Sequence, residues 1–316
     1  MNYRPRIGLA LGSGSARGWS HIGVIRALER AGLAPDVVCG TSIGALVGAI
    51  YAAGRLDWLA EWVGKLTWPG VVAMLDLRMG GGLIEGGRLV RFFQSHFEDR
   101  GMEQLSKPFA CVATELATGR EIWLREGPVI EAVRASMALP GLFTPAQQDG
   151  RLLVDGGLVN PVPVSLCRAM GAEVVIAVDL NWDLVGRRSR TSAAAAAPAD
   201  EGSGMLAMLL GKLRPAARGP SQPGPTPEMP SLLDVLGTSL NIMQVRITQS
   251  RLAGEPADAV IRPRLSDIAA MDYHRAAQAM AEGERAAQRA LPLIRDLLWH
   301  GEPGVAAEGA DDAAAP

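Results

Sequence analysis

Histidine and cysteine are scarce in this chain, four and three among 316 residues, and the scarcity sets limits before any motif is read. Cys39, Cys111 and Cys167 fall inside apolar runs at no metal-like spacing, so they read as small buried thiols of a reducing compartment. An excess of one charge is also missing. The formal net charge is -2 and no basic cluster occurs, which argues against a nucleic-acid partner. No run of about 18 uncharged apolar residues is present, so no bilayer-spanning helix is expected. Met1 to Arg6 enters a strand-like run without the apolar core of a signal peptide. The expected location is therefore cytoplasmic, with peripheral contact at the inner membrane face left open. Hydrophobic residues, by contrast, make up 48% of the chain, enough for a large buried core, and global disorder is excluded.

The order of apolar patterns predicts an α/β fold, with a mostly parallel central sheet flanked by helices. Ile7 to Leu11 is a short apolar run ending in glycines, and Ser20 to Ala31 carries apolar residues at helical spacing before Gly32. Val37 to Cys39 is a second strand, followed by a turn and a helix-like run from Ala45 to Ala53. Phe109 to Thr114 and Glu121 to Leu124 read as a hairpin through Ala117-Thr118-Gly119. Helices are expected at Leu89 to Phe97, Val129 to Ala138 and Val164 to Met170, and strands at Leu152 to Val154 and Glu173 to Asp179. These elements give a catalytic domain over 7–180. Residues 183–230 are rich in alanine and proline and read as a mobile insertion, broken by one apolar patch, Met205 to Leu213. Residues 231–300 return to helical spacing, with Ala259 to Arg262 as an edge strand, and 301–316 read as a disordered tail.

Three elements carry chemistry. Gly40-Thr41-Ser42-Ile43-Gly44, between strand and helix, has the form of a nucleophile elbow, which lifts one serine hydroxyl out of the sheet. Gly40 and Gly44 flank it because a β-carbon would clash in so tight a turn. The second element, Gly12-Ser13-Gly14-Ser15-Ala16-Arg17-Gly18, lets backbone N–H groups point at one anion. The third, Asp155-Gly156-Gly157, follows a strand. All three are expected beyond carboxyl ends of parallel strands, where ligands gather. A serine needs a base, and the four histidines are poorly placed for it. His21 opens the first helix, His96 and His274 fall on charged helices, and His300 precedes the tail. Asp155 is the better base, provided burial lifts its pKa and it reaches Ser42.

Taken together, G-S-G-S-A-R-G-W-S-H-I-G, G-T-S-I-G and D-G-G followed by N-P-x-P resemble the patatin-like phospholipases, nearest to bacterial members related to neuropathy target esterase. The resemblance implies a patatin-like three-layer fold, a Ser-Asp dyad of Ser42 and Asp155, no metal or other cofactor, and hydrolysis of a phospholipid or other lipid ester. It also implies an oxyanion hole from the N–H groups around Gly14, Ser15 and Ala16, with Arg17 and Gly18 completing the loop. One departure stands out: many members have consecutive glycines where this chain has Ser13 and Ser15. A positive φ at either serine would cost about 1 kcal/mol.

A lipid substrate needs an apolar approach. Trp58, Trp62 and Trp68 with Met74 and Leu75 form a candidate cover, against the plainer reading that they pack a helix onto the core. Met205 to Leu213 can lie in a membrane interface, act as a lid, or dock on the protein itself. Two rival functions remain. Gly12, Gly14 and Gly18 with Asp36 suggest a dinucleotide site, although G-x-G-x-x-x-G misses that fingerprint by one residue. A catalytically weak, lipid-binding regulator of the same fold is the other.

Overall fold

The computed structural model describes residues 4–67, 69–70, 101–184 and 232–299. Its centre is one eight-stranded sheet: β1 (Ile7–Leu11), β2 (Val37–Thr41), β3 (Phe109–Glu115), β4 (Glu121–Leu124), β5 (Ala146–Gln148), β6 (Arg151–Asp155), β7 (Val174–Val178) and β8 (Ala259–Ile261). Hydrogen bonding links the strands in the order β5-β6-β3-β2-β1-β7-β8, with β4 also paired to β3. Strands β3, β2, β1, β7 and β8 run parallel, and β4, β5 and β6 enter antiparallel. The central strands are buried on both sides, which is why they read as short unbroken apolar runs.

Residues alternate between two cores. Ile7, Leu9, Leu11, Val38, Phe109, Cys111, Ala113, Ile176 and Val178 face one layer, whereas Ala10, Val37, Cys39, Ala110, Val112, Val175 and Ala177 face the other. The first layer is built by α1 (Ser20–Arg30), α2 (Ile43–Ala52), α3 (Leu56–Gly64), α4 (Val129–Ser136) and α7 (Ala276–Trp299). The thinner second layer holds α5 (Val164–Ala169) and the end of α6 (Leu232–Gly254). Helix α7 is seated directly on α1. A β-carbon on Gly23 would run into the Met280 carbonyl, and one on Gly283 into the Ser20 carbonyl, so the two backbones touch where they cross.

One expectation is corrected here. The Asp-Gly-Gly element does not follow a parallel strand, because β6 runs against β3. The register explains the consequence. Strand β2 pairs with Phe109 to Val112 of β3, and β6 with Ala113 to Glu115. Strand β4 spans Cys111 to Thr114, overlapping both, so it occupies the other edge of β3. Strands β2 and β6 therefore lie end to end along one edge, their carboxyl ends facing each other. A strand has two edges, and this arrangement places Ser42 opposite Asp155.

Strand β5 has no apolar alternation to announce it, and it exists by pairing with β6. Asp183, expected to open the insertion, is instead buried and accepts from the amides of Leu265 and Ser266, at 3.2 Å each. The helix expected at Leu89 to Phe97, the apolar patch Met205 to Leu213 and the tail 301–316 lie outside the described residues. No helix among the described residues is long and apolar enough to cross a membrane.

Candidate active site

Ser42 is the one residue between β2 and α2, with φ 57° and ψ −122°. This region is costly for any residue with a β-carbon, so the surroundings must hold it. Its N–H donates to Ser136 Oγ at 2.9 Å, and its carbonyl accepts from the amides of Ala45 and Leu46. Thr41 Oγ1 donates to the Asn160 carbonyl at 2.8 Å, tying the strand end to the turn after Asp155. The crowding expected at the flanking glycines is present. A β-carbon on Gly40 would overlap the Gly44 carbonyl, and one on Gly44 would overlap the Leu11 carbonyl.

Asp155 ends β6 and is 1% exposed. Its amide donates to the Ala138 carbonyl at 2.9 Å, and its own carbonyl accepts from Thr114 Oγ1 at 2.8 Å. With the backbone fixed in this way, the carboxylate divides its two oxygens. Oδ1 accepts from the Gly157 N–H at 2.7 Å and Oδ2 from Ser42 Oγ at 2.5 Å. Burial pushes the carboxyl up to about 6, opposed by the bonds from Ser42 and Gly157. At neutral pH it is an anion held against a serine hydroxyl.

The glycine loop packs on the start of α2: a β-carbon on Gly18 would overlap Ile43, and one on Gly44 would meet the Gly12 carbonyl. Gly12 N–H donates to the Val178 carbonyl (3.1 Å), Ser13 N–H to Pro161 (2.9 Å), Ala16 N–H to Ala270 (3.1 Å) and Arg17 N–H to Gly14 (3.2 Å). These four amides are occupied, and Gly18 lies within a 3-10 turn, Ser15–Trp19. Among the described residues, the amides of Gly14 and Ser15 show no such loop or cap bond. Across a trans peptide, a carbonyl and the following N–H point opposite ways, so pinning the carbonyl aims the amide. The Ser13 carbonyl accepts from Asn181 Nδ2 at 3.3 Å, and the Gly14 carbonyl from Arg17 Nε at 3.1 Å. Of the two serines replacing glycine, only Ser15 takes a positive φ, at 51°.

His21 is fully buried. It belongs to the loop's support rather than to the serine, since its Nε2 donates to the Gly12 carbonyl at 2.8 Å. Burial lowers its pKa to about 4, so the ring is neutral at physiological pH. Tyr273 approaches from beyond β8. Desolvation first, then the Asp155 charge, pushes its phenol up to about 12, with the Ser15 hydroxyl bonded to it. Neither Tyr273 nor Ser136 carries a motif that sequence reasoning can use, because each reaches the site through the fold.

Other expectations separate here. Trp58 and Trp62 stack at 6.1 Å, Trp62 meets Trp19 edge-on at 6.4 Å, and both pack against the first core layer, which favours the plainer packing reading. Trp68, Met74 and Leu75 lie outside the described residues. Asp36 sits before β2, bonded to the Ile7 amide at 2.8 Å, at the opposite end of the strands from the glycine loop. A dinucleotide reading needs it at the same end. Among the described residues no group of three His, Cys, Asp or Glu side chains is placed to hold a metal ion.

The family model of the patatin-like phospholipases matches residues 9–168. An NTE family protein of Mycobacterium tuberculosis is 34% identical over 334 residues, covering 91% of each chain. This chain belongs to the patatin-like phospholipase family. Membership places it among the lipid hydrolases. Within the family, patatin-like phospholipase domain-containing protein 6 of Homo sapiens is 40% identical over 183 residues, 55% of this chain and 13% of that one. A lysophospholipase of Mycosarcoma maydis, NTE1, is 38% identical over 190 residues, 55% of this chain and 10% of that one. The solved structure of VipD from Legionella pneumophila is similar at a TM-score of 0.37 and 14% identity, covering 98% of this chain and 82% of that one.

Proposed function

We propose that the chain is a serine acyl hydrolase of the phospholipase or lysophospholipase type, with Ser42 as nucleophile and Asp155 as general base. The observation that carries the reading is the 2.5 Å bond from Ser42 Oγ to a buried carboxylate whose pKa sits at about 6. A base in that range is ionised at neutral pH yet still takes a proton readily. Ser42 Oγ attacks the ester carbonyl as its proton passes to Asp155 Oδ2. The oxyanion is received by the amides of Gly14 and Ser15, assisted by the N-terminal dipole of α2. As the intermediate collapses, the carbon–oxygen bond to the alcohol breaks, and Asp155 returns the proton to the leaving oxygen. Water then gives a proton to Asp155, attacks the acyl-serine and frees the fatty acid, and the proton returns to Ser42.

The substrate class is drawn from the relatives, among them a named lysophospholipase, and from the family's lipid ester chemistry. The test uses purified Ser42→Ala and Asp155→Asn with a p-nitrophenyl ester and a panel of phospholipids and lysophospholipids, products being resolved by mass. Both variants are expected to lose turnover by at least about a thousandfold, by analogy with loss of a nucleophile or its base. Activity surviving in folded Ser42→Ala would sink the dyad.

A further inference from the structure

Helix α6 brings one polar side chain into the back of the site. Gln244 is 8% exposed, and its Oε1 accepts from Ser13 Oγ at 3.1 Å and from Asn181 Nδ2 at 3.2 Å. The orientation of these amides is fixed by chemistry. Asn181 Nδ2 also faces the Ser13 carbonyl, which can only accept, so that atom must be nitrogen and the Gln244 atom opposite it must be oxygen. The other end of the amide lies on the Asp-Gly-Gly turn, where a β-carbon on Gly157 would stand 2.6 Å from Gln244 Nε2. Gly157 is the residue whose N–H holds Asp155 Oδ1. One side chain thus touches both the glycine loop and the turn that carries the carboxylate.

We propose that Gln244 is a positioning residue, which through Asn181 and Ser13 aims the Gly14 amide and keeps the loop in register with the Asp155 turn. The reasoning rests on reading the loop as the oxyanion hole. Asn181 Nδ2 faces three acceptors, the Ser13 carbonyl, Ser13 Oγ at 3.4 Å and Gln244 Oε1, and Gln244 helps to fix the direction in which its two N–H bonds point. If Oε1 is removed, the amide of Asn181 and the hydroxyl of Ser13 lose a buried acceptor. The Ser13 carbonyl keeps its bond to Asn181, but the Asn181 amide that holds it is no longer fixed in place, so the Ser13–Gly14 peptide is less firmly aimed. A shift of that peptide turns the Gly14 N–H away from the oxyanion but leaves Ser42 and Asp155 in place. The effect belongs in kcat, not in KM. The serine at position 13, where many family members have glycine, is the handle that makes the linkage possible.

The test compares Gln244→Leu, Ser13→Ala, the double variant and Gln244→Glu in the full chain, using a p-nitrophenyl ester and an alkyl trifluoromethyl ketone. The ketone forms a tetrahedral adduct and so reads the oxyanion hole directly. Gln244→Leu is expected to lower kcat at least tenfold with KM within twofold, and to weaken the ketone by the same factor. Ser13→Ala should give a smaller loss in the same two readouts, and the double variant should be no slower than Gln244→Leu alone. Gln244→Glu keeps the acceptor oxygen, so it should recover most of kcat, and its added charge should move the acid limb of the pH profile upward. Equal rates for Gln244→Leu and wild type, or strictly multiplicative losses in the double variant, overturn the proposal. If Gln244→Leu does not fold, Ser13→Ala decides, and wild-type kcat and ketone affinity there overturn it. Ser42→Ala, run in parallel, separates the readings. An active Ser42→Ala removes the dyad and this proposal together, whereas an inactive one beside an unimpaired Gln244→Leu removes this proposal alone.

Discussion

The elbow and the glycine loop are packed against each other, yet they are fastened from different parts of the chain. Ser42 is held by Ser136, Asp155 and, through Thr41, Asn160, all close in the fold to β2 and β3. The loop is held largely from further on: Val178 on Gly12, Asn181 and Gln244 on Ser13, and Ala270 on Ala16. Those four anchors lie beyond residues 9–168, the span that the family model covers. Both are crowded, but the elbow's glycines meet backbone of the turn and of the end of β1, whereas Gly12 and Gly14 meet the Val178 carbonyl and the Leu180 side chain. The loop thus depends more on side chains and carbonyls delivered by later elements. Changes to Ser42 or Asp155 themselves should therefore act all or none, and changes at the groups that anchor the elbow or the loop should be graded.

The largest effect is expected at Asp155→Asn, and it should separate activity from stability. Turnover should fall by at least about a thousandfold. Stability should rise, because the folded state holds the carboxylate at a pKa of about 6 against 3.8 for the free group. The sign follows from linkage. A raised acid pKa means the folded chain binds the proton more tightly, so wild type loses stability as pH climbs from about 4 to 6 and the penalty stays above that. At pH 7 the penalty is about 3 kcal/mol. Chemical denaturation at pH 4 and pH 7 checks this, with the gain from Asp155→Asn present only at the higher pH. His21 acts in the opposite sense. Its pKa is lowered to about 4, so the stability that its neutral form supports is lost as pH falls from about 6.5 to 4. Wild type should show a shallow pH dependence in which the two offset one another, and Asp155→Asn should expose the histidine slope. For activity, kcat/KM of wild type should fall tenfold per unit below about pH 6, with no inflection between 6 and 8 from His21.

The same contrast explains what was legible in the chain. Ser42 and Asp155 can be found because each sits in a short motif whose glycines are dictated by local crowding, and Gly40 and Gly44 show that crowding directly. The strands of the parallel centre are legible because burial on both faces leaves unbroken apolar runs. The direction of β6 is not. Its pattern, Arg151-Leu152-Leu153-Val154-Asp155, suits either direction, and only its pairing with Ala113 to Glu115 decides. Pattern is equally silent on which loop amides are free. That depends on carbonyls and side chains as distant as Asn181 and Ala270, and no residue type announces that its backbone will serve a loop far earlier in the sequence.

An intermediate effect is expected where the elbow's support comes from a single hydroxyl. Ser136 is fully buried, and its Oγ is the acceptor for the Ser42 N–H. Ser136→Ala leaves that N–H without a partner, at about 1–3 kcal/mol. A part of the loss should appear as a tenfold lower kcat, because Ser42 is held in a strained conformation that the bond helps to fix. Unchanged kcat together with lowered stability would mean that the turn's crowding alone fixes the serine, which sharpens the contrast with the loop.

The smallest effect tests the loop's own backbone. Ser15 has φ 51°, where a β-carbon is strained and glycine is at ease. Comparing Ser15→Gly with Ser15→Ala removes the hydroxyl from both, so the bond to Tyr273 cancels and the β-carbon remains as the difference. At an ordinary helical position alanine is the more stable choice by about 1 kcal/mol. Here the order should reverse, with glycine more stable by about 1 kcal/mol in urea unfolding. Their kcat values should agree within a fewfold, since the amide that each presents is the same. Alanine matching or exceeding glycine would mean that the loop relaxes away from a positive φ once the hydroxyl is gone. Its shape would then be set by its contacts with Tyr273 and the later elements and not by the local chain.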